Sequence, residues 1–194
     1  TPTDVHAISE AIDVEFNIER NPFFEAAGDY PGFLSIVESV FPAQCTLVPD
    51  TETQKTSDHG WDLRKDMDRL KPIVKRLQDR GIRVSLFLDP DPDQIPLAKA
   101  CGVDRIELYT EAYARAFASG DYEAVFEQYV MVANKALFHD LEINAGHDLS
   151  LANLPLFSTL PGLMEVSIGH ALVADALFTG VTETVQAYLQ TLKQ

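Results

Sequence analysis

The sequence predicts an α/β fold with a parallel sheet, organised as a (β/α)8 TIM barrel, and three observations carry that expectation. Strand-like and helix-like segments alternate along the 194 residues, the pattern of repeated strand–helix–strand crossovers. Neither G-x-G-x-x-G nor G-x-x-x-x-G-K-[ST] occurs, so a doubly wound nucleotide-binding fold loses its main support. Polar residues gather at the C-terminal ends of several strand-like runs, the rim where barrel enzymes place their chemistry.

The strand-like runs are short, rich in β-branched residues and bounded by turn signals. In order they are Ile12–Glu19 (IDVEFNIE), Gln44–Pro49 (QCTLVP), Ile82–Leu88 (IRVSLFL), Arg105–Thr110 (RIELYT), Leu141–Gly146 (LEINAG) and Met164–Gly169 (MEVSIG). Helical periodicity fills the intervals at Phe33–Phe41, Asp62–Gly81, Asp93–Gly102 and Asp121–Asp140. The segment from Gly169 to Lys193 reads as two helices split near Gly180, and Gly81 reads as a helix stop. The strands carry buried-type residues on both faces, apart from isolated polar ones. The loop Asp50–Asp62 is polar and long for a strand-to-helix connection, a length often tied to function. Six strands emerge, whereas a complete barrel has eight in typically about 250 residues. Residues 1–194 are therefore read as one barrel domain that is N-terminally incomplete.

Composition narrows the partners. Apolar residues make up 46% and charged residues 23%, with a formal net charge of −15. That surface repels phosphate backbones and anionic lipid, which argues against nucleic acid or membrane as partner. No apolar run is long enough to span a bilayer, and no signal peptide is visible. Cys45 and Cys101 lack C-x-x-C spacing and read as buried thiols of a reducing compartment, so a cytoplasmic location is expected.

Candidate chemistry lies at the strand ends: Glu19, then Glu107 and Thr110, then Asn144 and His147, then His170. Two consecutive strands finish in Gly-His, as EINAGHDL and as EVSIGHAL. A glycine there lets backbone approach a ligand, and a histidine exchanges protons near neutral pH. The two are either turns that happen to match or one site built twice from the same kind of strand end. The barrel rule predicts that Glu19, Glu107, His147 and His170 converge on one cavity. His6, His59 and His139 lack cluster spacing, read as surface or packing residues, and make no metal site.

The runs VSLFLDPD, IELYTEAYA, INAGHDL and VSIGHALVADALF, with FNIE, CTLVPD and KTSDHGWD in the same order, strongly resemble the pyridoxine 5′-phosphate synthase family of de novo vitamin B6 biosynthesis. The resemblance covers essentially the whole chain. It implies a (β/α)8 barrel, usually assembled as a homo-octamer. It implies condensation of 1-deoxy-D-xylulose 5-phosphate with 3-amino-2-oxopropyl phosphate to pyridoxine 5′-phosphate, inorganic phosphate and water, with no metal or organic cofactor. The opening TPTDVHAIS resembles the helix that follows the family's second strand. The family's upstream Asn-x-Asp-His and His-x-Arg motifs do not occur. The resemblance therefore implies a chain lacking the first two strands and the first helix.

The same resemblance assigns roles. Glu19 is similar to a general base, His147 to the proton donor, and Glu107 to a residue that stabilises the transition state. Thr56 resembles a contact to the deoxyxylulose phosphate, in a loop that can close as a lid. Gly169 and His170 resemble the site of the aminoketone phosphate, where the free N–H groups of a helix start hold the anion. Asp148 stands where some members carry Gly; its backbone N–H can still reach phosphate, provided the carboxylate points away. Two other functions remain open: another phosphosugar isomerase or aldolase on a barrel, or a non-catalytic, phosphate-binding relative. The absence of lysine at the strand ends counts against a Schiff-base aldolase.

Overall fold

Thr1 starts the first helix with a reciprocal cap: its hydroxyl accepts from the Asp4 N–H and the Asp4 carboxylate accepts from the Thr1 amine. A computed structural model describes residues 1–54 and 56–193. They divide into two compact units, Thr1–Leu88 with Pro96–Ile106, and Asp89–Ile95 with the chain from Glu107 onward.

The first unit runs α1 (Pro2–Ala11), β1 (Asn17–Arg20), α2 (Phe33–Val40), β2 (Gln44–Leu47), α3 (Leu63–Gln78), β3 (Arg83–Leu88), most of α4 (Ile95–Cys101) and the start of β4 (Arg105–Tyr109). The strand expected from Ile12 begins only at Asn17, because pairing with β2 starts at Asn17 opposite Gln44. The Asp62 carboxylate accepts from the Arg64 N–H at the start of α3. That helix buries Leu63, Leu70, Val74 and Leu77 at helical spacing. Each such side chain contributes roughly 1.5–3 kcal/mol. Gly81, at φ +77°, permits the left-handed turn into β3.

The second unit continues with α5 (Glu111–Ser119), α6 (Glu123–Phe138), β5 (Glu142–Gly146), α7 (Leu154–Phe157), β6 (Leu163–Ser167), α8 (His170–Thr179) and α9 (Val181–Thr191). The last two are separated at Gly180, as the sequence predicts. Its core is aromatic: Tyr113 packs on Phe157 at 4.9 Å and Tyr129 on Phe157 at 5.5 Å between ring centroids. Both hydroxyls find backbone acceptors, Tyr113 at Asn153 O (2.7 Å) and Tyr129 at Tyr109 O (2.6 Å). Burial pushes both phenols above their ordinary pKa.

The strands form one parallel six-stranded sheet in the order β1-β2-β3-β4-β5-β6. Sequential parallel order is that of a (β/α) barrel wall and agrees with a partial TIM barrel. The polar strand residues are not isolated. Register aligns Asn17, Gln44 and Arg83 in one row, and Glu19, Thr46 and Ser85 in the next. With period-two alternation, these share one face of the sheet, while Cys45, Leu47, Val84 and Leu86 occupy the other. Gln44 Oε1 accepts from Arg83 Nε (2.9 Å) and from buried Arg105 (3.1 Å), which gives both guanidinium groups an acceptor on this face.

Candidate active site

In the second unit, a carboxylate from within β4 lies against the C-terminal end of β5, where an imidazole follows. Glu107 lies inside β4 rather than at its end and is 1% exposed. Its side chain runs against Gly146, the last residue of β5. A Cβ built on Gly146 would overlap Glu107 Oε1 and lie 3.1 Å from Ser167 Cβ. The glycine of the first Gly-His pair is thus a space filled by the Glu107 carboxylate.

Beyond Gly146 the chain turns sharply. His147 and Asp148 are both left-handed, at φ +81° and +50°. Side chains avoid that region, so two in succession store strain that the surroundings must hold. The holding contacts are clear. Thr110 donates from its N–H to Gly146 O (3.1 Å) and from its hydroxyl to Gly146 O (2.9 Å) and His147 O. The His147 N–H donates to Ser167 O of β6 (3.4 Å), and Asn153 Nδ2 donates to Asp148 O (3.1 Å).

The half-buried His147 ring is fixed from two sides. Its edge meets Tyr109 at 5.1 Å between centroids, nearly perpendicular, and Nδ1 lies 2.8 Å from Asp148 Oδ2. A carboxylate on Nδ1 orients the imidazole and leaves Nε2 as the ring nitrogen turned away from that contact. The Asp148 carboxylate thus turns to the histidine ring. Asp148 also borders an open groove of about 710 Å³ lined by Glu111, Arg115, Ser150 and Asn153.

The second Gly-His pair has a different build. Gly169 and His170 are exposed, Gly169 sits at φ −103°, and no heavy atom lies within 4 Å of a Cβ built on it. Gly169 caps α8 without a side-chain hydrogen bond, and His170 is the first helical residue. The first N–H groups of a helix have no intrahelical acceptor.

In the first unit, Glu19 is exposed near the end of β1, opposite Thr46. The neighbouring Arg20 guanidinium stacks on Phe24 (4.5 Å) and Tyr30 (5.5 Å). Burial, with the Glu19 charge adding to it, pushes the Cys45 thiol far up, so this cysteine stays protonated. Thr56 is exposed in the loop after β2. That loop is pinned by Ser57 Oγ on Asp50 Oδ2 (2.8 Å) and by buried Trp61, whose Nε1 donates to Leu47 O (2.8 Å).

His6 meets Ser39 (3.2 Å) and His59 pairs with Asp58, both at exposed positions, and the half-buried His139 packs on Phe138. Among the described residues, no group of three His, Cys, Asp or Glu side chains could hold a metal ion. None of their helices is long and apolar enough to cross a membrane. The sequence named Thr110 only as a polar strand end and offered the glycine of the first Gly-His pair as room for a ligand, a space that Glu107 fills instead; it did not single out Tyr109 or the Asp148 contact to the ring. A glycine directly before a candidate histidine was the available signal.

These features define a (β/α)-barrel chain with a carboxylate–imidazole cluster at its strand ends. The trehalulose synthase MutB from Pseudomonas mesoacidophila MX-45 is similar in fold, with a TM-score of 0.64 at 11% identity over 93% of this chain and 55% of that one. A xylose isomerase domain protein from Planctomyces limnophilus gives 0.53 at 11% identity, over 92% and 70%. The chain belongs to the family described as "Pyridoxal phosphate biosynthesis protein PdxJ", whose model matches residues 1–194. It is 46% identical over 188 residues to a pyridoxine 5′-phosphate synthase of Xanthomonas axonopodis pv. citri (strain 306), covering 96% of this chain and 74% of that protein. The corresponding protein of Xylella fastidiosa (strain 9a5c) is 44% identical over 96% and 72%.

Proposed function

We propose that this chain carries pyridoxine 5′-phosphate synthase activity, joining 1-deoxy-D-xylulose 5-phosphate and 3-amino-2-oxopropyl phosphate by general acid–base catalysis. The observation that carries the reading is the 46% identity to a curated synthase across 96% of the chain. Ring closure requires imine formation, enolisation and loss of water and phosphate, each a proton transfer. His147, oriented by Asp148, is the proton donor to the departing oxygen. Glu107, buried beside Gly146, stabilises charge that develops in the transition state, and Glu19 is the general base. The start of α8 at Gly169 and His170 receives the aminoketone phosphate, and Thr56 contacts the deoxyxylulose phosphate. The Asp148 carboxylate serves the imidazole, and its backbone N–H contacts phosphate. The reading includes a cytoplasmic, octameric enzyme that needs no cofactor.

The test is a steady-state assay with both phosphorylated substrates, following pyridoxine 5′-phosphate and inorganic phosphate with and without chelator. Stoichiometric release of both products, unaltered by chelator, supports the reading. Binding of the substrates with no turnover would establish a non-catalytic relative instead. Light scattering on the same sample tests the octamer.

A further inference from the structure

We propose that Thr110 is the positioning residue that holds the His147 turn in its working geometry. The inference rests on the reading of His147 as proton donor. Thr110 occupies the N-cap of α5, where a threonine hydroxyl ordinarily accepts from a helix N–H. Here it makes no such cap. The single hydroxyl proton is instead shared between the carbonyls of Gly146 and His147, 36 and 37 residues further along the chain. The side chain is 0% exposed, so no water replaces these bonds.

Among the described residues, the target of those bonds is the one place where two successive non-glycine residues are left-handed. Strain of this kind persists only where the surroundings over-determine it. Ser167 O fixes the His147 N–H, and Asn153 fixes the Asp148 carbonyl. Thr110 is the residue that fixes the Gly146 and His147 carbonyls, with both its N–H and its hydroxyl. Loss of the hydroxyl leaves the N–H bond to Gly146 and releases the His147 carbonyl. The peptide can then rotate, which swings the imidazole off Tyr109 and away from its set direction. Thr110 touches no reacting atom in this account; it acts through His147.

The experiment compares Thr110→Val, which keeps shape and removes the hydroxyl, with Thr110→Ser, which restores it. Both are assayed in the enzyme as it is isolated, alongside His147→Asn and the Thr110→Val/His147→Asn double variant. Thr110→Val should lower kcat roughly 10- to 100-fold, as expected for a misplaced catalytic group, with KM for both substrates within about 2-fold of wild type. Thr110→Ser should recover most of kcat, and the double variant should be no slower than His147→Asn alone. A crystal structure of Thr110→Val should show the His147 peptide rotated. Wild-type kcat with an unmoved turn in Thr110→Val would overturn the proposal, as would a double variant slower than His147→Asn by the full Thr110→Val factor. Normal kcat in His147→Asn would instead sink the proton-donor reading, leaving the rotated peptide to judge the structural claim alone. If Thr110→Val does not fold, Thr110→Ala is scored by the same criteria on protein with the wild-type circular dichroism spectrum. If neither variant folds while Thr110→Ser does, Thr110 is structural and the proposal fails.

Discussion

The two Gly-His turns look alike in sequence and are opposites in structure. At Gly146–His147 the glycine is required because Glu107 fills the volume of its missing Cβ, and the histidine is held left-handed by bonds to Thr110 at the start of α5, to β6 and to Asn153 before α7. At Gly169–His170 nothing crowds the glycine, and the histidine simply opens a helix. The first turn aims a side chain; the second presents backbone N–H groups to the outside. Identical dipeptides are therefore built for different physics: a ring fixed in direction in one case, an uncrowded helix start in the other.

The strongest way to break this contrast is to remove each imidazole. His147→Asn should lower kcat by on the order of 10²–10⁴, the usual worth of a positioned general acid, with little change in substrate binding. His170→Ala should leave kcat within a few-fold and raise KM for the aminoketone phosphate, because it touches charge already present in the ground state. Steady-state kinetics with each substrate varied in turn reads both. If both variants lost kcat equally, the turns would share one role.

Next in size is the steric half of the contrast. Gly146→Ala drives a methyl into the Glu107 carboxylate, and buried Glu107 has little room to retreat. The expected cost is about 1–3 kcal/mol of stability, typical of overpacking, together with a fall in kcat as Glu107 moves. Urea denaturation of the variant gives the first quantity. A wild-type midpoint and slope would mean that the glycine is dispensable and the close approach incidental.

Much of this was legible in the sequence, and its limits are physical. The six strands and the break at Gly180 followed from β-branched runs and turn residues, which act locally. The α5 helix was missed because Glu111–Ser119 follows β4 across a single residue, so the period-two pattern ran straight into it; Tyr113 and Phe117, four apart, were its signal. The α7 helix is only Leu154–Phe157, with Pro155 in its first turn, too short to show a period. The leading part of Ile12–Glu19 read as strand because its apolar residues alternate, yet Asp13, Val14 and Glu15 are exposed ahead of the first paired residue. At the site, the residue types were readable and the contacts were not. Nothing local connects Thr110 to a carbonyl 36 residues away, or Glu107 to the missing Cβ of Gly146.

Alkaline pH offers a third test, confined to the region behind the second turn. The α8 helix has no buried residue, and its Asp175 accepts from the Tyr188 hydroxyl of α9 at 2.8 Å. Burial, and then the Asp175 carboxylate, push the Tyr188 phenol from 10.0 up to about 12. The folded pKa lies above the unfolded one, so this contribution to stability is complete below about pH 10 and is lost as pH rises toward 12. Thermal melts from pH 8 to 11.5 should show Tm falling above pH 10, and more shallowly in Tyr188→Phe. Tyr113 and Tyr129 are shifted the same way and will keep part of the slope in the variant. An identical slope in Tyr188→Phe would show that the link between α8 and α9 does not depend on this proton.

The smallest effect is expected at Gly169. Its φ of −103° is open to any residue, and no heavy atom stands within 4 Å of an added Cβ. Gly169→Ala should therefore change stability by less than about 1 kcal/mol, the cost of replacing glycine at a helix N-cap. Binding responds differently. The methyl points into the space through which an anion would approach the first N–H groups of α8, so KM for the aminoketone phosphate should rise while kcat holds. Paired urea melts and kinetics on this one variant separate the two readings of the glycine. An unchanged midpoint with a raised KM means that the residue is small because a ligand comes close. A midpoint lowered as far as in Gly146→Ala would mean that both glycines serve packing, and the anion would then have to be held elsewhere.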